Sequence, residues 1–195
     1  MAPLTQQKQP QSNSGFTLLE VLVALAIIAA LVAIVAPGWL GLLNRQRMNT
    51  AQNAALAVIR EAQANAKRQN RQWQACFRVA DDRVQSLAQA LPSRSTPTSF
   101  CATDAPGWED LIGGESDQVA INTATTSFLT NGPGVYYVPF RFDGLIDDER
   151  LGAASVPTRI SFQPREGATP ANQRCVAVAT LLGAIRTERG PACNL

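Results

Sequence analysis

A single carboxylate, Glu20, stands at the head of an apolar run. Every residue from Val21 to Ala36 is hydrophobic, and Phe16, Leu18 and Leu19 lead into the stretch. An acidic side chain deep in a membrane helix costs roughly 2.5–3.5 kcal/mol on insertion scales, so one placed in such a run implies a partner or a task. Gly15 closes the polar leader that precedes it, MAPLTQQKQPQSNSG, whose one lysine is Lys8. A secretory signal has its charges first and its small-residue cleavage site after the apolar region; here the glycine comes before it. A plain signal anchor would account for the hydrophobicity but not for Glu20 or for the position of Gly15.

The rest of the chain offers little for catalysis. Histidine is absent from the 195 residues, which removes the commonest general base and the commonest metal ligand. No nucleophile–base pair, phosphate-binding glycine loop or metal cluster is legible, so a membrane-anchored enzyme is the weakest of the readings and no cofactor is expected. Asp147, Asp148 and Glu149 supply oxygens of the kind calcium takes, but three adjacent acids without a calcium-loop pattern read as a solvated loop, and no metal is assigned. The net charge of +2 leaves any anion binding to local clusters. Cys76, Cys101, Cys175 and Cys193 form no CxxC pair and all lie beyond the apolar run. Export of that part of the chain would oxidise them to two disulfides. Three connectivities are open; Cys76–Cys101 and Cys175–Cys193 are favoured because each closes a short loop.

These residues need elements to position them. Residues 16–43 are long enough to span a bilayer as a helix. Beyond them Met48, Ala51, Ala55, Val58, Ile59, Ala62 and Ala66 recur at three- and four-residue spacing, one face of a helix, while Arg60, Lys67, Arg68 and Arg71 mark a solvated side. One helix over about 16–69 is expected, with Pro37 as the point where it would kink or soften. Strand patterns occur at 73–80, 118–124, 134–142, 159–164 and 174–182, with a strand or short helix at 83–91 and loop at 92–118. The fold class is α+β: a long N-terminal helix, transmembrane in its first half, packed on an antiparallel β-sheet.

Gly15-Phe16-Thr17-Leu18-Leu19-Glu20 followed by an apolar helix resembles the N-terminal signal of type IV pilins and type II secretion pseudopilins. The resemblance implies that a prepilin peptidase cuts between Gly15 and Phe16 and methylates the new amine. It divides the chain into a leader (1–15), a transmembrane and filament-core helix (16–43), and a helix continuation with a globular sheet domain (44–195). It implies that Glu20, then the fifth residue, pairs with the N-terminal amine of a neighbouring subunit and sets the register of assembly. The C-terminal "RCVAVATLLGAIRTERG" resembles the end of GspH/FimT-type pseudopilins and minor pilins, where a glycine turn leads into an arginine-bearing strand. Gly183 and Arg186 fit that pattern; Ala184 stands where it has its first arginine. This resemblance implies a structural minor pilin or pseudopilin subunit of a type IV pilus or type II secretion filament. It offers as an alternative a DNA-binding minor pilin for natural transformation, with Arg186, Arg189 and Arg174 on the phosphates. The implied partners are other pilin subunits, the prepilin peptidase, the membrane and, in the alternative, DNA. The implied location is a single-pass inner-membrane protein with an exported domain, assembled in a pilus or periplasmic pseudopilus.

Overall fold

The computed structural model describes residues 15–91, 101–151 and 156–194. All but the last residue of the expected leader, and part of the loop expected at 92–118, lie outside them. The chain forms two compact units, Met1–Gly41 and Leu42–Leu195.

Helix α1 comprises Leu18–Gln69, so it includes Pro37 rather than ending there. Its C-terminus is built from local signals. Asn70 adopts the left-handed conformation (φ 48°) and the Arg71 N–H donates to the Ala66 carbonyl, a closure that satisfies one of the helix's free acceptors. Lys67 and Arg68 in the last turn favour the negative end of the helix dipole. Among the described residues no helix is long and apolar enough to cross a membrane.

The second unit holds the whole core. Met48, Ala51, Ala55, Ile59, Ala62 and Ala66 of α1 are all buried, as their spacing predicts, and Val58 packs at the margin. Four of the six are alanines, which let the helix backbone approach closely while Phe77, Phe140 and Phe162 fill the space from the strands. Burying side chains of that size contributes about 1.5–3 kcal/mol each.

The strands make two antiparallel sheets, where the sequence pattern leads one to expect a single sheet. The first has β1 (Trp73–Ala80), β2 (Arg83–Ala90), β3 (Glu109–Asp110), β5 (Leu129–Thr130) and β6 (Val135–Phe140), in the order β3-β2-β1-β6-β5. The second has β4 (Val119–Ile121), β7 (Thr158–Pro164), β8 (Arg174–Val178) and β9 (Ile185–Arg189), in the order β4-β7-β8-β9. Both contribute to the one core, and Phe77 of the first meets Phe162 of the second edge-on at 6.2 Å. Asp81 and Asp82 join β1 to β2 with positive φ at both positions, the mirror-image turn whose twist suits a two-residue hairpin.

Each disulfide pins a covering segment to one sheet. Cys76–Cys101 fixes the loop beyond residue 100 to β1, where Arg78 also stacks over Trp108 at 4.3 Å. Cys175–Cys193 fixes the C-terminal turn Gly190–Asn194 to β8.

Candidate functional site

Residues 15–17 precede the first turn of α1. The Glu20 N–H donates to Thr17 Oγ1 at 3.2 Å and the Val21 N–H to the Thr17 carbonyl, also at 3.2 Å. Thr17 is thus the N-cap and Glu20 the third helical residue; the spacing Thr-x-x-Glu is that of a capping box, of which only the threonine's half is made. The signal for it lies in the sequence, a threonine three residues before a glutamate at the start of an apolar run, although the apolar pattern alone does not disclose it. The Glu20 carboxylate is exposed and has no hydrogen-bond or ion-pair partner among the described residues. Around it Phe16, Leu18, Leu19, Leu22 and Leu25 are exposed as well. A patch of that kind on a single chain marks an interaction surface. Gly15 has nothing among the described residues within 4 Å of where a Cβ would stand, and its φ is not in the left-handed region. The fold itself therefore makes no demand for glycine at this position.

Of the C-terminal arginines, Arg186 does not converge with the other two. Arg186 and Arg189 lie on edge strand β9 at positions of opposite parity in an unbroken register, so they leave opposite faces. Arg186 is paired with Glu188 on its own face at 2.7 Å. Arg174 is largely buried: it is 8% exposed, with Nε donating to Asn49 Oδ1 (3.0 Å) and Nη1 to the carbonyls of Gln173 (2.8 Å) and Ala171 (3.4 Å). Burial, then the charges of Arg189 and Arg45, push its pKa down.

Two glutamines of α1 tie the helix to this region. Gln52 Nε2 donates to the carbonyls of Cys175 (2.8 Å) and Glu188 (2.7 Å). Gln63 Nε2 donates to those of Gly144 (2.9 Å) and Gly183 (3.0 Å). Gly183 turns the chain into β9 with φ 75°, and a Cβ there would stand 2.3 Å from Gln63 Nε2 and 2.9 Å from the Gly144 oxygen. The glycine of the expected C-terminal turn is thus required by its conformation and by its neighbours. In the acidic run, Asp147 is buried and accepts from Gln72 at 3.0 Å, whereas Asp148 and Glu149 are exposed at the start of α2 (Asp148–Leu151). A depression of about 350 Å³ beside them is lined by Arg71, Arg141, Phe142, Asp147 and Glu149 among others.

Residues 10–36 match the family model of the prokaryotic N-terminal methylation motif. The chain is similar to two solved structures of the type IV minor pilin FimU of Pseudomonas aeruginosa strain PAO1. One has 13% identity and a TM-score of 0.46, covering 75% of this chain and 91% of the other. The second, in another crystal form, has 14% identity and a TM-score of 0.39, covering 73% and 92%. Likeness at this level carries no conclusion by itself. No curated protein matches the sequence significantly. The chain thus joins a matched N-terminal methylation motif to a long helix whose later part packs on antiparallel sheets.

Proposed function

We propose that the chain is a structural minor pilin or pseudopilin, held in the membrane by residues 16–43 and assembled through them into a type IV pilus or type II secretion filament. The observation that carries this reading is the unpartnered Glu20 carboxylate one turn into an exposed apolar helix that bears the methylation motif. In an apolar filament core a lone carboxylate is costly, and the Phe16 amine of a neighbour is the cation that would relieve it. The free amine exists only if residues 1–15 are removed, which gives Gly15 its reason: a glycine that the fold does not need suits a peptidase that must fit a small residue beside the cut. A structural role needs no catalytic group. The nucleic-acid alternative has less support, because Arg186 is paired with Glu188 and lies on the face opposite Arg189 and Arg174, so the three do not act together.

Co-expression with a prepilin peptidase followed by intact-mass measurement tests the reading. The expected product begins at Phe16 and carries one added methyl group. Retention of residues 1–15, or cleavage inside the apolar run, would refute it.

A further inference from the structure

Three arginines of the Leu42–Leu195 unit form a cationic patch with no carboxylate partner among the described residues. Arg174 and Arg189 are directly opposed across β8 and β9, so their side chains leave the same face. Asn49, which accepts from Arg174, stands one helical turn after Arg45 on the same side of α1. Like charges opposed across a strand pair are destabilising. The burial of Arg174, and the lowering of its pKa by its two neighbours, point the same way. Guanidinium groups keep their charge at any physiological pH, so the repulsion is not relieved by titration. Two acids close by are engaged elsewhere: Glu188, next to Arg189 in sequence, with Arg186 on the opposite face, and Glu115 with Arg47, two residues from Arg45, at 3.2 Å. An arrangement that costs stability when empty is what a built anion site looks like.

Position along α1 selects the anion. Arg45 and Asn49 lie two and six residues beyond Leu43, the last residue of the segment read as the anchor, or about 3 and 9 Å at 1.5 Å per residue. The headgroup layer outside a bilayer's hydrocarbon core is about 5–8 Å deep on each side, so Arg45 falls within it and Asn49 at its outer edge. We propose that Arg45, Arg174 and Arg189 bind the phosphate of an anionic phospholipid headgroup, a site that rests on the reading of 16–43 as the membrane anchor. The exposed guanidiniums of Arg45 and Arg189 donate to the non-bridging phosphate oxygens. Arg174, held by Asn49, Ala171 and Gln173, adds fixed charge behind them.

The test uses the full chain in nanodiscs of equal phosphatidylcholine and phosphatidylglycerol, with native mass spectrometry counting the lipids it retains. Each arginine at a membrane surface corresponds to about a fivefold preference. The wild type is therefore expected to retain phosphatidylglycerol at least fivefold over phosphatidylcholine. Arg45→Gln with Arg189→Gln brings the ratio close to one, and Arg186→Gln, on the other face, leaves it unchanged. No preference in the wild type, or an equal preference in the double variant, overturns the proposal. A chain that stays out of the discs counts against the anchor instead. Flotation of the Leu42–Leu195 unit, which carries its whole core, on phosphatidylglycerol vesicles then decides the cluster: binding lost in the double variant supports it, and equal flotation of both overturns it. A DNA gel shift abolished by the double variant while the lipid ratio holds would assign the patch to nucleic acid and overturn the lipid site.

Discussion

Replacing Gln63 and Gly183, singly and together, reads out how α1 is fastened to the second sheet. Gln63→Ala removes two donated bonds, at 2.9 and 3.0 Å, and leaves the Gly144 and Gly183 carbonyls without that donor. At about 1 kcal/mol for each bond, the expected loss is about 2 kcal/mol. Gly183→Ala forces a Cβ onto a residue at φ 75°, which costs about 1–2 kcal/mol in the backbone alone. The new methyl would also lie 2.3 Å from Gln63 Nε2, so the amide must swing away and give up both bonds. The single glycine variant should therefore lose about 3–4 kcal/mol, the sum of the backbone cost and the Gln63 bonds. In the double variant those bonds can be lost only once, so its deficit should stay near 3–4 kcal/mol rather than reach the additive 5–6. Urea unfolding of the Leu42–Leu195 unit, oxidised and monitored by the fluorescence of Trp73 and Trp108, measures all four corners of the cycle. Additivity within about 0.5 kcal/mol would refute the reasoning, because it would mean that Gln63 does not hold the Gly183 turn.

Other perturbations reach the remaining features. Glu20→Ala should leave membrane insertion intact or improved while subunits vanish from sheared filaments; wild-type levels there would deprive Glu20 of its assembly role. Replacing Cys175 and Cys193 together by serine should cost about 3 kcal/mol, the chain-entropy value for a loop of this size, and peptide mapping without reduction should recover the Cys76–Cys101 pair unchanged. Asp110 accepts from Gln85 (3.0 Å) and from Arg83 (2.5 Å), and these bonds, Gln85 first, hold its pKa below the usual carboxylate value. Its contribution is present above about pH 4 and is lost as pH falls through the depressed pKa, so Asp110→Asn should flatten the acid side of the stability profile. An unchanged acid limb in that variant would count against the assignment.

The helix seam was legible because burial obeys the 3.6-residue period: Met48, Ala51, Ala55, Ile59, Ala62 and Ala66 declare their face by spacing alone. Strands β1, β6, β7 and β8 were legible as short runs of strand-forming residues, alternating in β1, ended by aspartate, glycine or proline. Alternation names the face of a strand but not its neighbour, so the division into two sheets was not visible. Strands β3 and β5, two residues each, are too short to show a period at all. At the site, Gly15 and Glu20 stood out because each contradicts its local context. The burial of Arg174 was not legible, because a charged residue is usually exposed, whereas here Asn49 and two carbonyls accept its donors inside the fold. Gln52 and Gln63 looked like solvent-facing polar residues. Their separation of eleven, three full turns, placed them on one side of the helix beside the alanine seam, and that was the signal available.

The way α1 meets the sheets sets how the subunit would bear tension. Met48 through Ala66, together with Gln52 and Gln63, lie in one row along the helix, so a pull along its axis loads every contact at once. A sideways pull at one end would open the same contacts one after another. The first geometry is shear and the second is peeling, and shear fails only when the whole row slips together. None of the four cysteines is on α1, so oxidation adds nothing to that yield point. Its effect comes after failure. If the helix did tear free, the two covalent loops, spanning 25 and 18 residues, would stay closed, and the sheets could release only the chain between them.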